Sequence, residues 1–373
     1  MSDSFFTPYP LEDYRKHQVE LDAALKAALE AGHYILGGEV AGFEREFGNF
    51  VGTKHSIGVA NGTDSIELLL RGLGIGAGAK VGVPSQTAVA SISAIVRAGA
   101  TPVFLDVDPE TFTITASSLE ATLASPLGAG MQAVLAVHLY GHPADMGALQ
   151  KICDAHGLIL LEDCAQAHGA KHEGRMVGSI GRGGSFSFYP TKNLGAIGDG
   201  GGVTTSDDEL ADNIRCIRQY GWRERYISAV EGINSRLDEL QAALLRVKLR
   251  TLPESIANRR RLAASYDERL AGLPVKTPVV RPGCEHAYHL YVIRTPERDA
   301  LMKHLNARGI PAAQHYPAAV HQQPAYDHIR AASLPLPETE ALVTEILSLP
   351  LHPWMSESAV AYVADEIRSF FSR

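Results

Sequence analysis

The sequence predicts an α/β protein in which a mostly parallel sheet is flanked by helices and followed by a smaller C-terminal α/β domain. Strand-like and helix-like segments alternate between residues 56 and 163. The strand-like segments are apolar along most of their length, as expected when helices cover both faces of a sheet. After Ser235 the alternation gives way to a long helical pattern, which marks the second part of the chain.

The first part opens with a helical segment over residues 11–31, and the alternation follows. We predict strands at residues 56–60, 80–84, 102–106, 133–138 and 158–163, and helices at 63–73, 88–98 and 144–156. Two further strands, 186–189 and 202–205, flank a proline and a glycine-rich loop. Ligands of such sheets bind at the carboxyl ends of the strands, so we expect the site there.

The second part is predicted to be helical from residue 235 to 272, with an interruption at Pro253 because proline disrupts a helix interior. A strand follows in "HAYHLYVIR", and the chain ends with helices at residues 338–347 and 356–371. We therefore expect a large domain at residues 1–250 and a smaller C-terminal domain at residues 251–373.

The composition argues against several classes of protein. The 373 residues carry a formal net charge of −8, which leaves no broad basic surface for nucleic acid. No apolar run approaches the roughly 18–20 residues that span a bilayer, and the first residues lack the pattern of a signal peptide. The four cysteines are scattered without a Cys-x-x-Cys pair, which favours reduced thiols and a cytoplasmic protein.

Two histidine pairs raise the question of a metal site. "HLYGH" contains His138 and His142, and "HAYH" contains His286 and His289. Zinc sites need three or four converging ligands, and no such set can be assembled from the sequence. We therefore predict structural or substrate-contacting roles for these histidines and no metal.

The segment "ANGTDSIELLL" joins a predicted strand to a predicted helix. Unpaired N–H groups and the positive end of the helix dipole make this junction suitable for a phosphate. Ordinary N-capping by Thr63 or Asp64 explains the same residues equally well. The segment alone leaves both interpretations open.

A carboxylate and a lysine complete a recognisable set. Asp163 ends the apolar strand "LILLED", where burial of a carboxylate is costly unless it is paired. Lys192 lies in the loop of "SFSFYPTKNLGAIGDGGG", after another strand, and can reach the same crevice. A lysine for a Schiff base, an aspartate for a pyridinium proton and a helix N-terminus for phosphate are what pyridoxal 5'-phosphate (PLP) requires.

With these segments in this order, the chain resembles the DegT/StrS family of PLP-dependent sugar-nucleotide aminotransferases over nearly its whole length. Other segments that carry the resemblance are "GHYILGGEVAGFEREF", "VPSQTAVASISAI", "TPVFLDVDP", "EDCAQAHGA" and "NSRLDELQAALL". The resemblance implies the aspartate-aminotransferase fold, PLP fold type I, and a homodimer with shared active sites.

The resemblance also implies roles for individual residues. Lys192 would form the imine with the cofactor, Asp163 would pair with the pyridine nitrogen, and Gln166 would lie near the phenolic oxygen. The phosphate would be bound by Gly62, Thr63, Ser187 and, from the other subunit, Asn234.

One position departs from the family pattern. Many relatives place an aromatic residue or a histidine over the cofactor ring, in the segment after Pro84-Ser85, whereas this chain has Gln86. A glutamine amide can lie flat against a ring, although it supplies less dispersion than an aromatic side chain. We therefore assign Gln86 to the stacking position.

Residues for contact with the sugar or nucleotide are expected in three segments. The candidates are Tyr34 in "GHYILGG", His315, Tyr316 and His321 in "QHYPAAVHQQPAY", and Arg223 and Tyr226 in "GWRERY". Aromatic and histidine-rich loops often only pack, which is the alternative for the first four. Arg223 and Tyr226 are expected to meet the diphosphate, with the dimer partner's site as one possible location.

The lysine favours transamination, because relatives with histidine in its place are dehydratases. We expect glutamate as amino donor and a thymidine-diphosphate-linked 3-keto-6-deoxyhexose as acceptor, in deoxyamino-sugar biosynthesis for glycans such as the O-antigen of lipopolysaccharide. The segments around Lys192 and Gln86 resemble the 3-aminating members. The alternatives are a 4-keto, perosamine-type acceptor, a PLP enzyme that acts on amino acids, and a non-catalytic PLP-fold regulator.

Overall fold

The computed structural model describes residue 6, residues 9–330 and residues 332–372. The α-helices in these ranges are α1 (Tyr9–Lys16), α2 (Gln18–Glu30), α3 (Gly38–Val51), α4 (Gly62–Gly72), α5 (Val89–Arg97), α6 (Ala116–Leu123), α7 (Met146–His156), α8 (Asp208–Ile217), α9 (Glu239–Leu270), α10 (Arg298–Asn306), α11 (Pro337–Glu345) and α12 (Glu357–Phe371). Among these described helices, none combines the length and the apolar character that a membrane span requires.

The strands supply one large sheet and three small ones. They are β1 (His55–Val59), β2 (Lys80–Pro84), β3 (Thr101–Leu105), β4 (Met131–Val137), β5 (Ile159–Asp163), β6 (Lys171–His172), β7 (Arg175–Met176), β8 (Gly184–Ser187), β9 (Gly201–Thr205), β10 (Trp222–Glu224), β11 (Ile227–Ser228), β12 (Cys284–Glu285), β13 (Tyr291–Arg294) and β14 (Ile346–Leu349).

The large sheet confirms the predicted α/β class. Its strand order is β1-β9-β8-β5-β4-β2-β3, and the pairs from β8 to β3 are parallel. β1 runs in the same direction as β8, because each pairs antiparallel with β9. The order of connection reverses between β2 and β4, and a crevice at the carboxyl edge of such a switch point is the usual ligand site of this architecture.

Aromatic side chains attach α3 to the end of β8. The Phe47 ring meets the Phe186 ring edge to face at 4.9 Å between centroids and the Phe188 ring at 5.3 Å. Phe43 contacts Phe188 in the same manner at 5.2 Å. All four side chains are buried, and each such pair contributes about 0.5–1.5 kcal/mol beyond the burial of its area. These contacts fix the strand that leads into the Lys192 loop.

The predicted N-terminal helix at residues 11–31 is two helices in the structure. α1 ends at Lys16 and α2 begins at Gln18, with His17 between them in a non-helical conformation. His17 is buried and packs edge-on against Trp354 at 5.6 Å between ring centroids. This tertiary contact breaks the helix where local sequence gave no signal.

The predicted interruption at Pro253 is wrong, since α9 continues from Glu239 to Leu270. Proline removes one backbone hydrogen bond from a helix. The buried side chains of Leu252 and Ile256 pack on either side of it and hold the helix in place. The expected domain boundary at residue 250 falls inside this helix, and the division at 1–250 and 251–373 stays a prediction.

The C-terminal part also differs from the expectation in detail. The helix predicted at residues 338–347 ends at Glu345, and the chain continues directly into β14, which pairs antiparallel with β13. In "HAYHLYVIR" only the last four residues form a strand. The sequence pattern does not predict the helices α3, α6, α8 and α10 as separate elements.

A buried carboxylate caps the start of α3 from a distant part of the chain. Glu239, the first residue of α9, accepts backbone hydrogen bonds from Gly37 at 2.7 Å, Glu39 at 2.8 Å and Val40 at 2.9 Å. These are amides at the helix N-terminus, which lack partners within the helix and favour negative charge. Glu239 therefore joins α3 to α9.

We expect Glu239→Ala to lower the free energy of unfolding by about 2–3 kcal/mol, because three charge-assisted hydrogen bonds are lost and the Val40 donor stays buried. Glu254→Ala, at an exposed site on the same helix, is the matched control and should change stability little. Denaturant or thermal unfolding measures both, and equal stability of the two variants would contradict the capping role.

Candidate active site

A cavity of about 350 Å³ lies at the carboxyl edge of the large sheet. The residues that follow β1, β2 and β4 form part of its wall, together with the last residues of β5 and β8. His289, His315 and Tyr316 line it from the C-terminal part of the chain. The cavity is therefore at the switch point where the sheet topology predicts a ligand.

Lys192 and Asp163 both line this cavity. Lys192 follows β8 in a compact loop, where its own N–H donates to the Tyr189 carbonyl at 2.8 Å and the Ala196 N–H donates to the Phe188 carbonyl at 2.7 Å. Burial lowers the pKa of the Lys192 amine to about 8, while the negative charge of Asp163 acts in the opposite direction. The amine can thus exchange a proton near neutral pH.

The Asp163 carboxylate is held by two donors. It is the last residue of β5 and is 5% exposed. The Ser91 hydroxyl donates to Oδ2 at 2.8 Å, and the Ala165 N–H donates to Oδ1 at 3.1 Å. Hydrogen bonds to a carboxylate stabilise its charged form. The arrangement suits a carboxylate that pairs with a protonated nitrogen in the cavity.

The start of α4 provides the expected phosphate site. Asn61 is the N-cap residue, and its side chain accepts from the Asp64 N–H at 2.8 Å. The alternative of capping by Thr63 or Asp64 is therefore wrong. Gly62 and Thr63 line the cavity, and no hydrogen bond engages their N–H groups within the described residues. These N–H groups are available to an anion.

Close packing explains the glycine at position 62. A Cβ added there would lie 2.7 Å from the Cβ of Ser187, which is too near for any side chain. Ser187 ends β8 and lines the cavity beside Gly62 and Thr63. The three residues predicted to bind the phosphate from this chain are thus brought together.

Gln166 connects the two sides of the cavity. Its Oε1 accepts from the Tyr140 N–H at 2.7 Å, and its Nε2 donates to the Tyr316 hydroxyl at 3.0 Å. The Tyr140 hydroxyl in turn donates to the His315 carbonyl. Burial raises the pKa of Tyr316 to about 12, so its hydroxyl keeps its proton near neutral pH. Gln166, His315 and Tyr316 therefore lie where they were expected, at the cavity.

The structure does not bring Gln86 to the cavity, and its assignment to the stacking position is corrected. Gln86 is fully buried, and its Nε2 donates to the Tyr140 hydroxyl at 3.2 Å. Thr87 and Ala88 line the cavity instead. The preceding Ser85 is bound through its carbonyl to the Val320 N–H at 3.1 Å, which fixes the chain so that Gln86 points inward.

His321 is a second correction, because it lies outside the cavity lining. Its Nδ1 is 2.7 Å from the Ser85 hydroxyl, and its Nε2 is 3.2 Å from a carboxylate oxygen of Glu340. The side chain is 4% exposed. His321 therefore holds the segment after β2 against α11, which is the packing alternative considered for it.

Four other expected residues lie outside the cavity of their own chain. Tyr34 is 47% exposed and donates to the Leu29 carbonyl. Arg223 pairs with Asp212 on α8, and Tyr226 on the same hairpin is 71% exposed. Asn234 is exposed beside the start of α9.

Sequence reasoning missed several residues that line the cavity, among them Tyr189, Asp199 and His289. Tyr189 and Asp199 lie three residues before and seven residues after Lys192 in the same glycine-rich segment, so their closeness in sequence could have indicated that they line the cavity. For His289 the sequence predicted a structural or substrate-contacting role without placing it at the cofactor site. It is 8% exposed, and burial together with the positive charge of Lys192 holds its pKa well below the usual range.

A different buried group resembles a metal site but has other partners. His138, Glu162 and Cys164 bring their ligand atoms within 4.8 Å of one another. Glu162 accepts backbone hydrogen bonds from Gly178, Ile180 and Gly181, and a His138 ring nitrogen lies 3.1 Å from it. The second ring nitrogen of His138 accepts from the Ala144 N–H at 3.0 Å. This network of hydrogen bonds joins the end of β4 to β5.

The chemistry of the cavity fits PLP. A lysine with lowered pKa, a buried carboxylate and free helix N-terminal amides lie around one space of sufficient size. The close approach of Gly62 to Ser187 leaves their backbone atoms at the cavity surface. An amine for the aldehyde, an anion for the ring nitrogen and donors for the phosphate are therefore all present.

Known proteins match this chain along nearly its whole length. A dTDP-3-amino-3,4,6-trideoxy-alpha-D-glucose transaminase of Streptomyces venezuelae is 44% identical over 361 residues, which are 96% of this chain and 94% of that protein. The erythromycin biosynthesis sensory transduction protein EryC1 of Saccharopolyspora erythraea is 43% identical over 95% of this chain and 96% of its own. GDP-perosamine synthase of Caulobacter vibrioides is 35% identical over 87% and 88%, respectively.

Solved structures agree with these relatives. The crystal structure of S. venezuelae DesV in complex with a ketimine intermediate has a TM-score of 0.93 and 44% sequence identity, and the match covers 98% of both chains. This likeness confirms the expected PLP fold type I and the expected aminotransferase scaffold. Residues 15–368 match the family description of these enzymes. The chain therefore belongs to the DegT/DnrJ/EryC1/StrS aminotransferase family.

Proposed function

We propose that this protein is a PLP-dependent transaminase that moves an amino group from glutamate to the keto carbon of a nucleotide-linked 3-keto-6-deoxyhexose. The observation that carries the proposal is the shared cavity of Lys192 and Asp163, beside the free N–H groups at the start of α4. When bound there, PLP supplies an aldehyde that condenses with amines and a ring that stabilises the negative charge left on the substrate carbon that loses a proton.

Lys192 is the acid–base group of the proposed reaction. With a pKa of about 8 its amine is neutral in about a tenth of the molecules at pH 7, roughly 300 times the fraction of an ordinary lysine. A neutral amine attacks a carbonyl carbon, and when free it accepts a proton and later returns it. The compact loop around it keeps the Nζ atom at the cavity while these transfers occur.

Asp163 and the amides of α4 orient the cofactor. The Asp163 carboxylate would stabilise a proton on the ring nitrogen, and the donors Ser91 and Ala165 hold the carboxylate in place. Gly62, Thr63 and Ser187, which line the same cavity, would bind the phosphate. Contacts at both the ring nitrogen and the phosphate would restrict how the cofactor can be oriented relative to Lys192.

The sugar is proposed to contact Tyr316, His315 and Tyr189, which line the cavity around Lys192. The protonated Tyr316 hydroxyl accepts from Gln166 and keeps its own proton for an acceptor in the cavity. Amination at the 3-position is supported by the greater identity to the S. venezuelae 3-amino sugar transaminase, 44%, than to the perosamine synthase, 35%. A 4-keto acceptor is the second candidate.

A homodimer with composite active sites completes the proposal. The exposed apolar side chains Tyr34, Ile35, Tyr226 and Ile227 lie near the other expected residues outside the cavity, and a partner subunit would cover them. Asn234 and Arg223 would then reach the partner's cavity.

The relative EryC1 is named as a sensory transduction protein, so a non-catalytic regulator is the alternative function. The presence of both Lys192 and Asp163 favours catalysis. We propose a cytoplasmic location, consistent with four free cysteines.

The substrate assignment is tested by mixing the enzyme, PLP and glutamate separately with the 3-keto and the 4-keto form of a dTDP-6-deoxyhexose. We expect a new amine at carbon 3, located by NMR, and 2-oxoglutarate in equal amount. Lys192→Ala is the control and should form no product and no covalent bond to PLP, because its side chain has no amine.

Amination at carbon 4 with none at carbon 3 would establish the second candidate. A protein that binds PLP but aminates neither sugar would support the regulator. A borohydride-reducible bond to PLP in the Lys192→Ala variant would overturn the assignment of the lysine.

For the composite site, we expect Asn234→Ala to weaken retention of PLP by about tenfold or more, since one hydrogen bond to a charged phosphate is lost. Dialysis followed by the absorbance of bound cofactor measures the effect. Asn258→Ala, a polar change on α9 away from the cavity, is the control. An active monomer in sedimentation experiments would reject the composite site.

A further inference from the structure

A buried ion pair lies next to the Lys192 loop and outside the cavity lining. The Nζ atom of Lys248 on α9 is 2.8 Å from Oδ2 of Asp13 on α1, and the two side chains are 8% and 7% exposed. Burial of two charges costs several kcal/mol per ion, and the attraction offsets this only with good geometry and further hydrogen bonds. We therefore expect each charged group of this pair to have a further hydrogen-bond partner.

Both charges have a further partner. The Lys248 ammonium donates to the Gly195 carbonyl at 2.9 Å. Oδ1 of Asp13 accepts from the Trp354 indole N–H at 3.0 Å. Gly195 is three residues after Lys192, in the same loop. The pair therefore joins the N-terminal helix to the segment that carries the reactive lysine.

A second contact from α1 reaches the same loop. The Tyr9 hydroxyl donates to the carbonyl of Asn193, the residue after Lys192, at 3.3 Å. The loop has little freedom to absorb a displacement at these points. A Cβ on Gly195 would lie only 2.5 Å from the Pro190 carbonyl oxygen, so the backbone there is tightly packed. A shift at Asn193 or Gly195 is thus passed on to Lys192.

We propose that Asp13 and Lys248 are positioning residues for Lys192, and that through them α1 keeps the Lys192 amine in its water-poor site. The inference rests on the proposed role of Lys192 and adds residues that contact neither cofactor nor substrate. Apolar side chains of similar volume can fill the space of a buried ion pair without loss of stability. They cannot donate to the Gly195 carbonyl, so the tie between α9 and the loop at that carbonyl requires the Lys248 ammonium.

The charged groups around Lys192 show that the double loss of Asp13 and Lys248 would act through the position of the loop and not through a change of charge near the amine. The titratable groups that face Lys192 from the elements around it are Asp163, His168, His289, His315, Tyr316 and Asp199. Removal of the Asp13–Lys248 pair leaves these titratable groups in place and does not change the net charge of the protein. Burial is the cause that lowers the pKa of Lys192, so water that enters beside a loosened loop raises that pKa.

The test uses Asp13→Asn combined with Lys248→Met in the full chain, freed of cofactor by dialysis. Acetic anhydride is applied at a series of pH values, and peptide mass spectrometry gives the acylation rate of Lys192. We expect the midpoint of this pH profile to move upward by about one pH unit. The control is Lys26→Met combined with Glu30→Gln, an exposed pair on α2, which should keep the wild-type midpoint.

A midpoint equal to that of the wild type, or a lower one, in the folded double variant overturns the proposal. If that variant fails to fold, Tyr9→Phe decides, because it removes the hydroxyl that contacts Asn193 and leaves Asp13 and Lys248 in place, and it should shift the midpoint upward by a smaller amount. The role of Lys192 is checked independently. PLP followed by borohydride should protect Lys192 of the wild type from acylation, and failure of protection contradicts the proposed function without altering the comparison of midpoints.

Discussion

The site depends on keeping one amine and one carboxylate together in a space with little water. Burial alone would lower the pKa of Lys192 further, whereas the Asp163 charge alone would raise it and keep the amine protonated. The two effects oppose each other and leave the pKa of the amine at about 8. An amine in this range can attack a carbonyl and also carry a proton between atoms. The donors Ser91 and Ala165 hold the Asp163 carboxylate in place, so its distance from the Lys192 amine stays constant.

The fold supplies this environment through the ends of its strands. β5 ends at Asp163, β8 ends at Ser187 next to the lysine loop, and the turn after β1 begins α4 with free amides. Each group therefore sits on a rigid element and meets the others only at the carboxyl edge of the sheet. The contact between the rings of Phe47 and Phe186 holds β8 against α3, and the Tyr9 hydroxyl of α1 holds the Lys192 loop at Asn193.

The sequence was sufficient for the parts of the structure that follow from local pattern. Alternating apolar segments predicted the sheet, and the positions of Gly62, Asp163 and Lys192 after predicted strands predicted that they meet at one cavity. The failures arose where distant packing decides. Pro253 lies within an unbroken helix because its neighbours are buried, and Gln86 turns inward because Ser85 is bound to residues near 320. The pairing of Asp13 with Lys248 links positions too far apart in the sequence for any local motif to reveal it.

The central claim is that Asp163 and burial set the pKa of Lys192 in opposite directions. The most direct measurement is the pH midpoint of Lys192 acylation in cofactor-free Asp163→Asn, with Asp199→Asn as the control in the same cavity. Loss of the Asp163 charge removes the one charge that raises this pKa, so the midpoint should fall below about 8, while the control stays near the wild type. An unchanged or higher midpoint in folded Asp163→Asn would contradict the account.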